Sequence, residues 1–178
     1  MKIYGLYGKS GTGKSHKVQV LANNLQVKAI IDDGILVVEQ THVAGVSAKC
    51  ERYLHAATKR AIFHWDDHKN EVKNYICEAN ISELVILGTS QKMIQRIIDR
   101  LELPSDVEWA SVDSIQTEVE ISLATTRRNE GFHVIPIKPV NVSKTYKGWY
   151  AEEKFLYETR TYEIIVVCPF KWEDTSER

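Results

Sequence analysis

A chain of 178 residues, 43% hydrophobic and 26% charged, fits one domain of ordinary size, or one domain with a small appendage, and can bury a sizeable core. Its net charge of -1 argues against nucleic acid as the main partner, because domains that grip phosphate backbones carry a clear basic excess. Lys9 interrupts the opening MKIYGLYGKSG too early for a signal peptide and no run of about 18 apolar residues occurs, so a cytoplasmic protein without a membrane partner is expected.

In chain order, a short apolar strand from Ile3 to Tyr7 leads into a glycine loop, and a helix is expected from about Gly13 to Leu25. A second strand, Val27 to Ile31, stops at the turn signal Asp32-Asp33-Gly34. The segment ILVVEQTHVAG reads as a small hairpin whose own turn is weakly specified. Helical stretches follow at roughly Ser47 to His64 and Asp66 to Ala79. Glu83 to Leu87 (ELVIL) reads as a buried strand ending at Gly88. Ser90 then caps a helix whose apolar residues Met93, Ile94, Ile97, Ile98 and Leu101 recur at the helical period. After Pro104 come a strand from Val107 to Val112, a capping box at Asp113-x-x-Gln116, and a helix to about Asn129, with Gly131 just past its end. Strands alternating with helices predict a parallel sheet covered on both faces.

From Phe132 the helical period disappears. The last part of the chain holds half of all the aromatic residues, namely Tyr146, Trp149, Tyr150, Phe155, Tyr157, Tyr162, Phe170 and Trp172. This suggests a division into residues 1–131, an α/β domain, and residues 132–178, a β-rich appendage with Tyr162 to Val167 as its surest strand. Such a density of rings must pack on the sheet domain, cover a second copy or meet a protein partner.

Gly8-Lys9-Ser10-Gly11-Thr12-Gly13-Lys14-Ser15 matches G-x-x-x-x-G-K-[ST] at every fixed position, between an apolar strand and a helix. The glycines allow the backbone N–H groups to surround phosphate, with the positive end of the helix behind them. In such loops the lysine, here Lys14, reaches the β- and γ-phosphates, and the hydroxyl, here Ser15, ligates Mg²⁺. A nucleoside triphosphate with Mg²⁺ is therefore the expected ligand. No N-K-x-D segment of the kind that selects guanine occurs, which tilts the base toward ATP.

An acid at a strand tip is the next requirement of that chemistry. ELVIL ends instead in Gly88-Thr89-Ser90. The Val27 strand ends in Asp32 and Asp33 and the Val107 strand in Asp113, so Asp32 is the first candidate for metal or acceptor and Asp33 the second, the alternative being a pair of turn formers. Lys49, Arg52, Lys59 and Arg60 fall near one face of the Ser47 helix, where they either close over phosphates or form a solvated surface. Arg127 and Arg128 end another helix as candidate phosphate contacts, although the helix dipole explains them equally well. His64 and His68 stand at a metal-compatible i, i+4 spacing without a third ligand, and surface histidines are the expectation. Cys50, Cys77 and Cys168 form no C-x-x-C pair, so neither a disulfide framework nor a thiolate metal site is expected.

GKSGTGKS, IIDDG, VILGTS and TRRNEGFHVIPI together resemble a family of bacterial phosphate-loop proteins known as ATP-binding and of uncharacterised function. The likeness spans about residues 1–140. It implies a P-loop NTPase fold of the kinase-like kind and keeps IIDDG and TRRNEG as site segments. In some members an alkaline-shock (envelope-stress) type domain follows; with Arg178 as the last residue, that domain is not expected here. Two functions stay open: a small kinase-like phosphotransferase or ATPase with Lys14 and Asp32 as catalytic residues, or an ATP-binding regulatory module acting through a protein partner.

Overall fold

The computed structural model describes residues 1–9 and 14–114, together with the backbone of three later strands, 133–135, 151–156 and 163–167. The first strand, β1 (Lys2–Tyr7), leads to helix α1 (Lys14–Asn24). Three strands follow as a meander, β2 (Ala29–Asp32), β3 (Ile35–Val38) and β4 (Thr41–Gly45). A single 3₁₀ turn, Ala48–Cys50, precedes helices α2 (Leu54–Ala61) and α3 (Asp66–Glu78). Then come β5 (Glu83–Gly88), α4 (Gln91–Leu101), β6 (Val107–Ser111) and a second 3₁₀ turn, Val112–Ser114.

These six strands form one sheet in the order β4-β3-β2-β5-β1-β6. Its β2, β5, β1 and β6 run parallel, and β3 and β4 extend it antiparallel. The architecture is thus mixed α/β with a mostly parallel sheet flanked by helices. Connection handedness explains where the helices lie. The chain passes over β5 to go from β1 to β2, and over β1, in the opposite direction, to go from β5 to β6. Two right-handed crossovers in opposite directions place their helices on opposite faces.

The strands alternate accordingly. Tyr4, Leu6, Val85 and Leu87 pack with Val18 and Ala22 of α1. Ile3, Ile31, Leu84 and Ile86 pack with Val72 and Ile76 of α3 and with the Ile94, Ile97, Ile98, Leu101 stripe of α4. That stripe was the clearest helical pattern in the sequence, and Ser90 caps it as expected, its Oγ accepting from the Met93 N–H at 3.1 Å. No described helix is long and apolar enough to cross a membrane.

One expected helix is broken. Ser47 to His64 is not continuous, because the chain is extended at Glu51 and at Tyr53 between the 3₁₀ turn and α2. The cause is non-local: the Ala48 N–H donates to the Asp33 carbonyl at 2.7 Å, and the Lys49 side chain is drawn to the same residue. The basic face expected of that helix does not form. Lys49 turns inward, while Arg60 pairs with Glu51 at 2.8 Å and lies over the Trp65 ring.

The later strands, β7 (His133–Ile135), β8 (Ala151–Leu156) and β9 (Glu163–Val167), form a second, antiparallel sheet in the order β7-β9-β8. The helix expected after Asp113 and the aromatic side chains of the appendage lie outside the described residues.

Candidate functional site

The parallel strands end at Tyr7, Asp32, Gly88 and Ser111, and the edge these residues form is where α/β sheets of this kind bind ligands. β1 lies between β5 and β6, so the loop that follows it opens where the connections diverge to the two sides. Gly8 begins this loop and donates its N–H to the Gly88 carbonyl at 3.2 Å. Gly88 has no room for a side chain, since a Cβ there would meet Ile94 Cγ1 at 2.6 Å. The tip of β5 therefore carries no acid, and Thr89 beyond it lies against Met93, its Oγ1 3.4 Å from Sδ.

Lys14 opens α1 and folds back over the loop, its Nζ donating to the carbonyls of Gly8 and Lys9 at 2.8 Å each. The acid comes from β2, one strand beyond β5. Asp32 is 3% exposed, and its Oδ2 has no hydrogen-bond partner among the described residues. Burial raises its pKa above the usual carboxylate value. Lys49 opposes this, Asp33 adds to it, and a hydrogen bond from the Ser15 side chain and the charge of Lys14 act with Lys49. Lys14 and Ser15 at the start of α1 and Asp32 at the tip of β2 lie on the same carboxyl edge of the sheet, and these three are the core of the site read in the sequence. Ser10, Gly11, Thr12, Gly13, Arg127 and Arg128 lie outside the described residues.

Asp33 has a different neighbourhood. With Gly34 it makes the two-residue turn between β2 and β3, at φ of 47° and 90°, and its Oδ2 accepts from Lys49 Nζ at 2.5 Å. The same ammonium is 3.7 Å from Asp32 Oδ2, near enough for charge attraction and too far for a hydrogen bond. Asp33 is thereby a turn former and an ion-pair partner at once. Asp113, the other strand-tip acid, is exposed.

Beneath this turn sits His68, contrary to the surface position expected for it. It is 4% exposed and packs on Phe63 with ring centroids 4.6 Å apart. Its Nε2 lies 2.6 Å from the Gly34 carbonyl oxygen, to which its N–H donates, and 3.0 Å from the Val46 nitrogen, which the same ring nitrogen then meets as a packing neighbour. Burial lowers its pKa. His64 is exposed, and no group of three or more His, Cys, Asp or Glu side chains that could hold a metal occurs among the described residues.

The donor set nevertheless fits a hard cation. Mg²⁺ is commonly held by one or two protein oxygens together with substrate phosphates and water, and needs no cage of its own. The buried Asp32 carboxylate, one oxygen of which has no hydrogen bond, together with the Ser15 hydroxyl would supply such donors. Lys49 and His68 are the residues that sequence reasoning misjudged; each was visible, but nothing local signals that either would be buried. Comparison of the chain with protein-family models, with curated proteins and with solved structures gave no match.

Proposed function

We propose that this chain is an ATP- and Mg²⁺-binding protein with a kinase-like P-loop NTPase fold, acting as a small phosphotransferase or ATPase. The observation that supports the reading is buried Asp32 at the tip of β2, on the same carboxyl edge of the sheet as the start of α1, where Lys14 and Ser15 stand. The sequence motif supplies Lys14 and Ser15, and the sheet supplies Asp32. In this reading the loop N–H groups and Lys14 hold the β- and γ-phosphates, with Arg127 and Arg128 as further phosphate contacts. The Ser15 hydroxyl and the Asp32 carboxylate hold the cation or its water, with Asp33 second to Asp32. Bound Mg²⁺ would supply neutralisation of the phosphate charge. Asp32 is also placed to orient an acceptor hydroxyl and receive its proton. The proposal extends to the bacterial ATP-binding family that the motifs resemble, to a cytoplasmic location, and to residues 1–131 as the nucleotide domain with residues 132–178 as a surface for a protein partner or a second copy.

Lys14→Ala tests the central claim, because it removes the loop lysine that would reach the β- and γ-phosphates. ATP affinity by calorimetry should fall at least roughly tenfold with the melting temperature nearly unchanged, a loss of about 1.4 kcal/mol or more. Unaltered affinity in a folded variant overturns the reading.

A second reading, a nucleotide-sensing module without turnover, is favoured by the tip of β5. Gly88-Thr89-Ser90 offers no carboxylate there. ADP formation at saturating ATP, with and without candidate acceptor alcohols, separates the two readings, since the module predicts none above the spontaneous rate.

A further inference from the structure

We propose that Lys49 is the resident counter-ion of the Asp32–Asp33 pair, and that a divalent cation entering this strand tip displaces it and frees the Ala48–Cys50 turn. The inference deepens the site proposed above and rests on that reading for the identity of the cation, but its mechanical part belongs to the protein alone.

The geometry is that of an occupant held by one carboxylate and shared with the other. The Lys49 side chain is 7% exposed, with its Nζ 2.5 Å from Asp33 Oδ2 and 3.7 Å from Asp32 Oδ2. It hydrogen-bonds the outer carboxylate and leaves the Oδ2 of the buried one without a hydrogen bond. An ammonium and a divalent cation cannot share this position. Their repulsion at such separations is strong in a partly buried site, and both draw on the same two carboxylates. Lys49 is mounted on a short buried segment that one backbone bond, from the Ala48 N–H to the Asp33 carbonyl, holds to the hairpin turn. Its turn is one 3₁₀ unit of three residues between extended Ser47 and Glu51. Short 3₁₀ pieces have poorer hydrogen-bond geometry than α-helix. The hairpin turn opposite is held to this segment by the Ala48 N–H on the Asp33 carbonyl, and also by His68 on the Gly34 carbonyl, which does not involve the segment. Displacement of Lys49 therefore shifts Ala48–Cys50 and the entry to α2, and leaves Asp32 in place.

Mn²⁺ binding to the nucleotide-free full chain, read by the resonance of free Mn²⁺, tests the competition. Lys49→Met removes the competing charge and should bind Mn²⁺ roughly tenfold more tightly than the wild type, whereas Lys49→Arg should stay close to it. Equal or weaker binding by folded Lys49→Met overturns the proposal and makes Lys49 a support for the site. A wild-type measurement stands beside the variants: Mg²⁺ alone should speed hydrogen exchange at the Ala48 and Cys50 amides, and unchanged or slower exchange at saturating Mg²⁺ overturns displacement. Calorimetry of the wild type with Mg²⁺ and ATP, run in parallel, reports on the nucleotide reading separately, because neither cation experiment contains nucleotide.

Discussion

The two turns of the β2-β3-β4 meander have the same shape and different reasons for it. Asp33-Gly34 joins Asp32 to Ile35, and Glu39-Gln40 joins Val38 to Thr41. In both pairs both residues have positive φ, 47° and 90° in the first and 48° and 63° in the second, as two-residue hairpins of the right twist require. The first uses an Asp-Gly pair suited to that conformation. The second uses two residues that rarely adopt it, held by the paired strands and by a surface ion pair from Lys28 to Glu39 at 2.6 Å. The first turn is buried under Val46, Arg60 and His68 and carries the candidate site; the second is at the periphery. Where a carboxylate must be held at a fixed point, local preference and tertiary packing agree. Where nothing has to be positioned, strain is tolerated.

The largest break in this comparison is Gly34→Ala. A Cβ at position 34 would lie 2.6 Å from the Val46 carbonyl oxygen and 3.0 Å from that of Arg60, in addition to the cost of the left-handed conformation. We expect a loss of about 3 kcal/mol, which lowers the melting temperature by roughly 10 °C for a domain of this size. Cation binding should weaken in parallel, since Asp32 and Asp33 immediately precede the altered residue. A stable variant with intact binding would show that the turn does not need its glycine.

How far the sequence is legible follows the same division. The Asp-Asp-Gly turn and α4 could be read because their determinants lie within a few residues: a turn pair, and a serine cap followed by Ile94, Ile97, Ile98 and Leu101. The break between Ala48–Cys50 and α2 could not. Its cause is a backbone bond and an ion pair to Asp33, distant in sequence, and the segment's own composition favours helix. The burial of His68 was illegible for the same reason, as its partners Gly34 and Val46 belong to another layer. Asp32 was legible as a strand-tip acid, yet the lysine that pairs with it was read as surface. The β3–β4 hairpin was legible in ILVVEQTHVAG although no propensity rule selects its Glu-Gln turn; its antiparallel addition to the edge of β2 was not.

A pH experiment gives the intermediate effect. His68 anchors the first turn and has no counterpart at the second. Burial lowers its pKa from 6.5, and the Arg60 charge adds to this, while the Gly34 carbonyl, Glu71 and Glu51 work against it. A folded-state pKa below the unfolded value means that the unfolded chain takes up the proton first. The stability His68 provides is therefore complete above about pH 6.5 and is lost as pH falls through the depressed folded value. Asp32 has the opposite sign, because its raised pKa relieves a burial cost on acidification. The wild type should lose melting temperature on acidification below pH 6.5, and His68→Gln should lose less. Identical slopes in the two proteins would remove His68 as the group responsible.

The smallest effect falls on the second turn and has the opposite direction. Gln40 sits at φ 63° with no glycine to absorb it. A non-glycine residue pays about 1–2 kcal/mol for the left-handed region. Glycine avoids that cost and gives back about 0.5–1 kcal/mol through the greater freedom of the unfolded chain. Gln40→Gly should therefore stabilise the protein by about 0.5–1 kcal/mol, seen as a higher urea midpoint at unchanged slope. Asp33→Gly relieves the same kind of strain at φ 47°, but it removes the carboxylate that holds buried Lys49 at 2.5 Å. Loss of the hydrogen-bonded carboxylate of a buried ammonium outweighs the conformational gain, so this second substitution should destabilise. If both glycine variants move the midpoint in the same direction, the two turns are equivalent and the ion pair at the first contributes nothing to its rigidity. Opposite signs would locate the distinction between them in the Lys49 contact and not in the backbone.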